Sequence, residues 1–567
     1  MNLPAVAALV LDVLTVVAVA AASAIVMSGG FEIHLGGLAV RARTVRNPAL
    51  ALAILSAVRA FLIQAAPLFL RVRHLDLRTL AGLAVRATAP SANKAAAGRR
   101  AALLAIAVIF AASSITLANA WVHFGFFSGD DVEIQEMSLS HLFGYSWSAW
   151  NLRNPFYPLV FVYPVQAIVH ALGVSDPAVL VFSARAMVAA FAAVTMGLVF
   201  AATRREWGSG ALAACAVTFL AANKLYLAFS STELPRPVAA AFVVGSYFLL
   251  LRRGSVARAV TAGLVLGIGA ALRFSEFVFI VPAVIMLALE GRRRDAIVVA
   301  TAAVVFALAI LGIADTLYWK QPFYSTANIV DYTLVRHLSS RGYQAPLAYL
   351  TSAPKWTDLV TLALALVGIR RAPKLALWFV LPLLLLSCLP HKEERYLIPM
   401  MPFEGMLAAV GLWSVMGWIA SAPPGRARWH TAAAVALTGS LIVAVLLEAQ
   451  DFRFRRSESA VEVARYLART PGEITLAVED TFRLGNTIYF GARASLTQID
   501  PIVLRASPDK VIEEVKESRV QFVALADADV RTSGLVRALA SLGFAEIDFG
   551  GRVQYERYRL YGRRPVE

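Results

Sequence analysis

Apolar runs long enough to cross a bilayer recur along this chain and constrain its fold more than any other feature. They lie at about 4–27, 49–70, 101–121, 177–202, 209–229, 237–251, 259–272, 276–290, 295–314, 358–369, 375–389, 396–420 and 431–448. Of the 567 residues, 59% are hydrophobic and 16% are charged, which is more apolar surface than a soluble fold of this length can bury. The pattern predicts a polytopic α-helical membrane protein with about 13 transmembrane helices, since one span takes roughly 20 residues.

Short basic clusters separate the apolar runs and predict the orientation of the chain. They are the 71–100 stretch with Arg71, Arg73, Arg78, Arg86, Lys94, Arg99 and Arg100, then Arg204-Arg205, Arg252-Arg253, Arg292-Arg293-Arg294, Arg370-Arg371, and Arg426 with Arg428. With the predicted helices, all of them fall on one side, which the positive-inside rule assigns to the cytoplasm. The amino terminus is then inside and the carboxyl terminus outside. The net charge of +16 therefore reflects membrane topology, and no aromatic-basic motif indicates nucleic-acid binding.

Composition divides the chain into three regions. Residues 1–100 contain two helices, a basic linker and an alternating stretch at 29–42 that predicts a small hairpin in the outside loop. The first run lacks a basic n-region and is predicted to be an uncleaved helix rather than a signal peptide. Residues 101–448 contain the membrane core, with a first outside loop at 122–176. The proline-interrupted stretch 155–172 in that loop is predicted to be interfacial or re-entrant, because a span there would invert every later charge cluster.

Residues 449–567 have the composition of a soluble domain and alternate between helix and strand. The predicted elements are helix 457–470, strand 473–478, helix 508–518, strand 520–526, helix 533–542, and strands near 545–548 and 553–561. Such alternation predicts a compact extracytoplasmic α/β domain. No glycine-rich phosphate loop follows any of its strands, so we expect a lid or an acceptor platform rather than a nucleotide site.

Four carboxylates are concentrated at the start of the first outside loop, in the sequence Gly129-Asp130-Asp131-Val132-Glu133-Ile134-Gln135-Glu136. A carboxylate beside an apolar boundary tends to have a raised pKa and can act as a general base. The same residues could instead be a solvated acidic loop that caps the next helix. Position alone leaves both interpretations open.

A second charged cluster is the turn Leu389-Pro390-His391-Lys392-Glu393-Glu394-Arg395-Tyr396, which joins two apolar runs on the outside face. Lys392 and Arg395 could neutralise the two glutamates. Basic residues on this face oppose the positive-inside trend, however, and they would suit a phosphate group at headgroup level. Further charged residues on this face are Arg153, Glu233, Arg236, Arg273 and Asp315. Each alone is typical of an interfacial anchor, and their shared face indicates a membrane-surface site.

These motifs resemble the polytopic GT-C glycosyltransferases that use lipid-phosphate sugar donors. Within that class the sequence is most similar to the α-mannosyltransferases that build N-glycan precursors and the GPI anchor. The turn at His391 to Tyr396 follows their His-Lys-Glu-x-Arg-Phe/Tyr motif, and Asp315 to Phe323 resembles their Asp-x-x-Tyr-Tyr-Gly run. The acidic loop followed by Arg153, and Arg273 after a small-residue helix, also match. The resemblance covers about 100–420.

The sequence departs from the family pattern at several places. Gly129-Asp130-Asp131 stands where the family has Pro-Asp-Glu, so either aspartate could be the base. The run at Arg341-Gly342-Tyr343 lacks the histidine of the family. The amino-terminal helices and the outside α/β domain resemble bacterial relatives of the wider fold, so the expected location is a bacterial cytoplasmic membrane with the active face in the periplasm.

The resemblance implies an inverting transfer of a sugar, with mannose favoured, from a polyprenyl-phosphate donor to a lipid, glycan or protein acceptor. Asp130 or Asp131 would be the catalytic base. The donor phosphate would be bound by Lys392, Arg395, Arg153 and Arg273, and the substrates would be positioned by His391, Glu393, Asp315, Glu233 and Tyr396. No cofactor is required by this chemistry, although the acidic loop could bind a divalent metal. The two cysteines, Cys215 and Cys388, exclude a cysteine-based metal site.

Three other functions are compatible with parts of the sequence. A GT-C transferase for another lipid-linked sugar, of the aminoarabinose or protein O-mannosyl type, would share the fold, but the His-Lys-Glu-x-Arg turn argues against it. A lipid or polysaccharide transporter would carry ionisable residues in mid-helix around a central cavity, whereas here they collect at one face. A sensor would need a cytoplasmic output domain, and the loops after residue 100 are short.

Overall fold

The computed structural model describes most of the membrane core and most of the carboxy-terminal region. The described residues are 31–35, 38–42, 94–252, 254–336, 344–389, 391–420, 458–499, 507–527, 535–549 and 558–563. The predicted helices at 4–27, 49–70 and 431–448 lie outside them, as do most of the basic stretch 71–100, Arg253, the pair Arg426 and Arg428, and the run Arg341-Gly342-Tyr343.

Every predicted apolar run that falls within the described residues is helical. The helices of this part are α1 (Lys94–Val122), α2 (Gly129–Phe143), α3 (Tyr163–Ala171), α4 (Pro177–Trp207), α5 (Gly210–Ala222), α6 (Lys224–Ser230), α7 (Arg236–Leu250), α8 (Val256–Leu272), α9 (Ile280–Leu289), α10 (Arg293–Trp319), α11 (Tyr324–Val330), α12 (Ala348–Thr351), α13 (Ala353–Trp356), α14 (Leu359–Ile369), α15 (Pro373–Cys388) and α16 (Met401–Ala420). Short 3-10 segments precede α9 and α16, at Phe274–Phe279 and Glu394–Met400, and π segments lie at Pro158–Val162 and Asp331–Val335.

Four helices of the described part are long and apolar enough to cross a membrane, and α5 with α6, bent by 69°, makes up to five. The other apolar helices of this part are 10–17 residues long. The count of about 13 spans therefore stays a prediction. The predicted interfacial stretch 155–172 forms the short apolar helix Pro158–Ala171. At about 1.5 Å of rise per residue this helix is shorter than the hydrocarbon core is thick.

Small residues let the membrane helices pack closely. A Cβ at Gly411 would overlap the carbonyl oxygen of Leu364, and one at Gly368 would overlap that of Leu407, so α14 and α16 touch backbone to backbone. On α8, a Cβ at Gly267 would lie 2.8 Å from the carbonyl oxygen of Ala303 on α10. Lipid tails are as apolar as side chains, so close packing of this kind is one of the interactions that hold helices together in a bilayer.

The carboxy-terminal region folds around a five-stranded sheet. Its elements are α17 (Glu458–Ala468), β3 (Ile474–Val478), α18 (Thr481–Leu484), β4 (Ala494–Gln498), α19 (Pro508–Glu517), β5 (Phe522–Ala526), α20 (Leu535–Ser541), β6 (Phe544–Ile547) and β7 (Tyr558–Arg563), following the hairpin strands β1 (Phe31–Leu35) and β2 (Leu38–Ala42). The strand order is β4-β3-β5-β7-β6. Strands β4, β3 and β5 are parallel, while β7 pairs antiparallel with β5 and with β6.

In the carboxy-terminal region, two described elements are absent from the sequence prediction. Strand β4 and helix α18 were not predicted, because both are short and lack a regular apolar pattern. The antiparallel pairing of β1 with β2, with Phe31 opposite Ala42, agrees with the hairpin predicted at 29–42.

Helix α2 joins the membrane helices to the carboxy-terminal sheet. Val132 and Leu139 of α2 share one buried apolar cluster with Leu180 of α4 and with Leu476 and Leu484 of the sheet region. Three arginines from separate elements meet the opposite side of α2, and this arrangement defines the candidate site.

Candidate functional site

Helix α2 follows α1 after the short segment 123–128 and carries the acidic motif. Ser128 precedes it in an extended conformation, and Asp130 and Asp131 occupy its first turn. Carboxylates are favourable there, because the amino-terminal end of a helix dipole is positive. The buried stretch of the helix runs from Asp131 to Leu139. The motif is thus a packed helix and not a solvated loop.

Asp130 is surrounded by three arginines that come from different parts of the chain. Its Oδ2 lies 2.7 Å from Nη2 of Arg273 and 3.0 Å from Nη1 of Arg395, and its Oδ1 accepts a hydrogen bond from Arg153. The carboxylate remains 15% exposed. Burial alone would raise the pKa of Asp130, but the positive charges of Arg153, Arg395 and Arg273 outweigh it and hold the pKa well below its usual range.

Arg153 and Arg395 each contact a second carboxylate. Arg153 also pairs with Glu133, and Arg395 also pairs with Glu393. Within the described residues, Asp130 is the one carboxylate in salt-bridge range of Arg273. The Nε of Arg273 is buried and has no hydrogen-bond partner there. Arg273 therefore has unused donor capacity within the described residues.

The predicted turn at His391 to Tyr396 lies against the start of α2. Nε2 of His391 is 3.4 Å from Oε1 of Glu393, and the rings of His391 and Tyr396 meet edge to face with centroids 5.8 Å apart. Burial would raise the pKa of Glu393, but hydrogen bonding from His391 and the charge of Arg395 lower it to about 2. Glu393 therefore stays ionised and fixes the guanidinium of Arg395 beside Asp130.

Lys392 points away from the arginines. Its Nζ donates to the carbonyl oxygens of Gln344, at 2.9 Å, and of Leu389, at 2.5 Å. The residue is buried, and burial lowers the pKa of its ammonium group. In this arrangement Lys392 connects the 391–396 turn to the preceding loop, and it does not join the cluster around Asp130.

Asp131, the second candidate base, is more enclosed than Asp130. It is only 1% exposed, and its oxygens accept from the backbone N–H of Phe127, at 3.0 Å, and from Oγ of Ser128, at 3.1 Å. Burial, with the nearby charge of Glu233, raises the pKa of Asp131 to about 7. This pKa suits a general base, but both oxygens are engaged in holding the turn that begins α2.

Two of the residues predicted to position substrate, Asp315 and Glu233, make contacts within the protein. Asp315 accepts from Nδ2 of Asn154, at 2.9 Å, and from the N–H and hydroxyl of Ser325, at 2.9 and 2.7 Å, and so ties the end of α10 to the residue after Arg153. Glu233 is fully buried and pairs with Nε of Arg185 at 2.7 Å.

Tyr396, also predicted to position substrate, packs against Arg236, whose guanidinium carbon lies 4.1 Å from the centre of the tyrosine ring. Arg236 in turn pairs with Glu276 at 3.2 Å. The sequence predictions passed over Arg185 and Glu276. A signal existed in each case, since an ionisable residue inside an apolar run seldom occurs without a partner.

A partly open cleft adjoins Arg153 and Arg273. Glu133, Arg153 and Arg273 provide its charged lining, and Tyr157 and Leu311 belong to its largely apolar wall. Among the described residues, no group of three or more histidine, cysteine, aspartate or glutamate side chains is placed to hold a metal ion.

The overall fold has solved counterparts. It is similar to ArnT from Cupriavidus metallidurans bound to undecaprenyl phosphate, with a TM-score of 0.52, 15% sequence identity, and coverage of 82% of this chain and 98% of that chain. The apo state of ArnT matches with a TM-score of 0.53 and 15% identity, over 81% of this chain and 97% of that chain. This is the fold of the GT-C glycosyltransferases, a class of polytopic membrane enzymes.

Sequence comparisons give the family within that class. The family model of the Alg9-like mannosyltransferases matches residues 132–468, which is more than half of the chain, and the chain belongs to that family. A Dol-P-Man:Man(7)GlcNAc(2)-PP-Dol alpha-1,6-mannosyltransferase of Drosophila melanogaster is 30% identical over 153 residues. That match covers 26% of this chain and 22% of the fly protein. The predicted resemblance to the GT-C α-mannosyltransferases is confirmed.

Proposed function

We propose that this protein transfers a mannosyl residue from a polyprenyl-phosphate donor to an acceptor hydroxyl at the extracytoplasmic face of the membrane, with inversion at the sugar carbon. The observation that carries the proposal is the carboxylate of Asp130 held among Arg153, Arg273 and Arg395 beside a largely apolar cleft. A base next to a cationic phosphate site is the arrangement that such a transfer needs.

The reaction requires one proton acceptor and one stabilised leaving group. Asp130 takes the proton of the acceptor hydroxyl while the hydroxyl oxygen attacks the anomeric carbon of the donor sugar. The bond between that carbon and the phosphate oxygen breaks, and polyprenyl phosphate leaves with the bonding electron pair. The arginines stabilise the charge that develops on the phosphate, and a donor set of this kind contributes most where water is excluded.

Donor binding would also activate the base. In the unliganded site, the three arginines hold the pKa of Asp130 well below its usual range, which makes it a weak base. A bound phosphate competes for the same guanidinium groups, so their attraction for the carboxylate falls and its pKa rises. Asp130 would thus become an effective base only when a donor is present.

We favour Asp130 over Asp131 as the base because of access. Asp130 faces the arginines and remains 15% exposed, whereas Asp131 is 1% exposed and bonded to Phe127 and Ser128. The pKa of Asp131, raised to about 7, keeps it as the alternative. Its role in our proposal is to fix the start of α2.

The remaining predicted residues act on the site through others. His391 and Glu393 orient Arg395, and Lys392 holds the turn that carries them. Asp315 holds Asn154, the residue next to Arg153. Glu233 and Tyr396 lie in the buried contacts that surround this cluster.

We further propose that the membrane is a bacterial cytoplasmic membrane, with the site on the periplasmic side, and that the acceptor is a lipid, a glycan or a protein. The solved ArnT structure is described as bound to undecaprenyl phosphate, which supports a polyprenyl phosphate as the donor carrier. The family membership supports mannose as the sugar. The positively charged guanidinium groups neutralise the phosphate. We therefore expect turnover without a cofactor or divalent metal.

The test uses purified protein in nanodiscs with radiolabelled polyprenyl-phosphate mannose, and measures release of polyprenyl phosphate with and without a membrane extract as the source of acceptor. We expect extract-dependent release that persists in chelator. Release that requires an added metal would refute the metal-free mechanism. No release with mannose but release with another lipid-linked sugar would refute the donor assignment, and no release with any would favour a transporter.

A further inference from the structure

The carboxy-terminal unit, residues 458–563 as far as the structure describes them, contacts α2 through a buried carboxylate that the reaction does not use. Glu136 is 0% exposed. It accepts from the backbone N–H of Thr487 at 2.7 Å, from Oγ of Thr487 at 2.6 Å, and from the hydroxyl of Tyr145 at 2.6 Å. Hydrogen bonds to a carboxylate are about twice as strong as neutral ones, so this is a firm contact between α2 and residues 351 positions further along the chain.

The same unit contacts the segment that leads into α2. The guanidinium of Arg465 lies 4.0 Å from the ring centre of Phe124. A Cβ at Gly485 would lie 2.6 Å from the ring of Phe126, and one at Gly129 would lie 3.3 Å from the ring of Phe482. The carboxy-terminal unit therefore contacts the segment before α2, the first residue of α2 and its middle.

Asp130 and Glu136 lie on different faces of α2. At 100° per residue, Asp130 and Glu136 are about 120° apart around α2. Glu133, Ile134 and Met137 line the cleft beside the arginines. Val132 and Leu139 pack into the cluster shared with the carboxy-terminal unit. A packed helix moves as one body, so displacement of the second face displaces Asp130 relative to the arginines.

We propose that Glu136 is a positioning residue for Asp130, and that the carboxy-terminal unit belongs to the catalytic apparatus because Thr487 fixes the rotation of α2 through it. The inference rests on the proposed role of Asp130. A misplacement of about 1 Å can reduce catalysis roughly 100-fold. Loss of the hydrogen bonds between Thr487 and Glu136 should therefore lower kcat even if the protein still folds.

The test compares Thr487→Val, which removes the hydroxyl donor at nearly constant volume, with Thr487→Ser, which keeps it. Both are assayed in nanodiscs with polyprenyl-phosphate mannose, and hydrogen exchange of the α2 amides is followed without substrate. We expect Thr487→Val to lower kcat about tenfold or more, to leave the KM for donor nearly unchanged, and to speed exchange in α2 but not in α8 or α16. Thr487→Ser should resemble the wild type.

A pH profile separates positioning from general destabilisation. Asp130 faces Arg153, Arg273 and Arg395, with Glu133 and Glu393 behind them. If α2 shifts away from the arginines, the pKa of Asp130 rises, and the acid limb of kcat moves to higher pH. A loss of folded protein lowers kcat at every pH without moving the limb.

The proposal is overturned if Thr487→Val keeps wild-type kcat and wild-type exchange in α2. It is also overturned if kcat falls with no change in the limb and no rescue by Thr487→Ser. Should Thr487→Val fail to fold, Glu136→Gln provides the same comparison, since it keeps the shape of the side chain and loses its charge. If the wild type releases no polyprenyl phosphate, the proposed function fails, while the exchange measurement still decides whether Thr487 holds α2.

Discussion

Replacement of Arg273 tests the cationic site with little disturbance of the fold. Arg273 immediately follows α8, contacts Asp130 at 2.7 Å, and keeps a buried Nε without a partner among the described residues. Arg273→Gln shortens the side chain and removes both the charge and the guanidinium donors aimed at the site. Loss of one preorganised donor to a developing anion costs about 2.7–4 kcal/mol, or roughly 10²–10³ in kcat.

The same substitution changes the pH dependence in a defined direction. A hydrogen bond to a charged group contributes about 1.5–3 kcal/mol, which corresponds to about one to two pKa units. Without Arg273, the pKa of Asp130 rises from its depressed position by about that amount. The base must be ionised to act, so a higher pKa removes activity at a higher pH. The acid limb of kcat/KM should therefore move upward by about one to two pH units.

The assay is steady-state release of radiolabelled polyprenyl phosphate between about pH 2 and pH 8, a range that includes the ordinary pKa of aspartate, about 3.9, and the lower values expected for Asp130. Arg336→Gln is the matched control, because Arg336 is a 65% exposed arginine paired with Asp331. Arg273→Lys should recover part of the rate, since it keeps the charge but not the fork of donors. A kcat within about twofold of the wild type, with an unmoved acid limb, would refute the phosphate-binding role and the electrostatic account of Asp130.

Two further predictions concern stability. Glu233→Gln should leave the guanidinium of Arg185 buried without its counter-charge and destabilise the protein by about 3–5 kcal/mol, which a lower unfolding temperature in detergent would reveal; an unchanged temperature would contradict a structural role. Gly411→Ala should force α14 and α16 apart, because the added methyl overlaps the carbonyl oxygen of Leu364. Its yield of folded protein should fall well below that of Gly417→Ala, whose Cβ meets nothing within 4 Å, and equal yields would contradict the close packing.

The sequence predicted the members of the site better than their arrangement. Loops that join spans on one side of a membrane end at the same level, so the acidic motif and the His391 to Tyr396 turn could be expected to meet. Asp130, Arg153, Arg273 and Arg395 do meet. Lys392 lies in the same turn yet points to backbone carbonyls, because the direction of one side chain depends on tertiary packing that a motif does not encode.

Contacts distant in sequence could not be predicted from local pattern. The hydrogen bonds between Thr487 and Glu136 join an ordinary loop residue to a motif 351 positions away. The sequence could predict that Arg185 has an acidic partner, because a charge inside an apolar run requires one. It could not identify Glu233 as that partner, since several acidic residues lie on the same face. Hydropathy predicted where the helices lie in the sequence. It could not predict the close approach of α14 and α16 at Gly411, which depends on which helix faces pack together.

The most direct test of the account compares Asp130→Asn with Asp131→Asn in release of polyprenyl phosphate from radiolabelled polyprenyl-phosphate mannose, with Asp331→Asn as the exposed control. Loss of a general base lowers turnover by about 10²–10⁴. We expect that loss for Asp130→Asn, a smaller effect for Asp131→Asn, and none for Asp331→Asn, with all three proteins folded. Turnover by Asp130→Asn at the wild-type rate would contradict the central claim that Asp130 is the base.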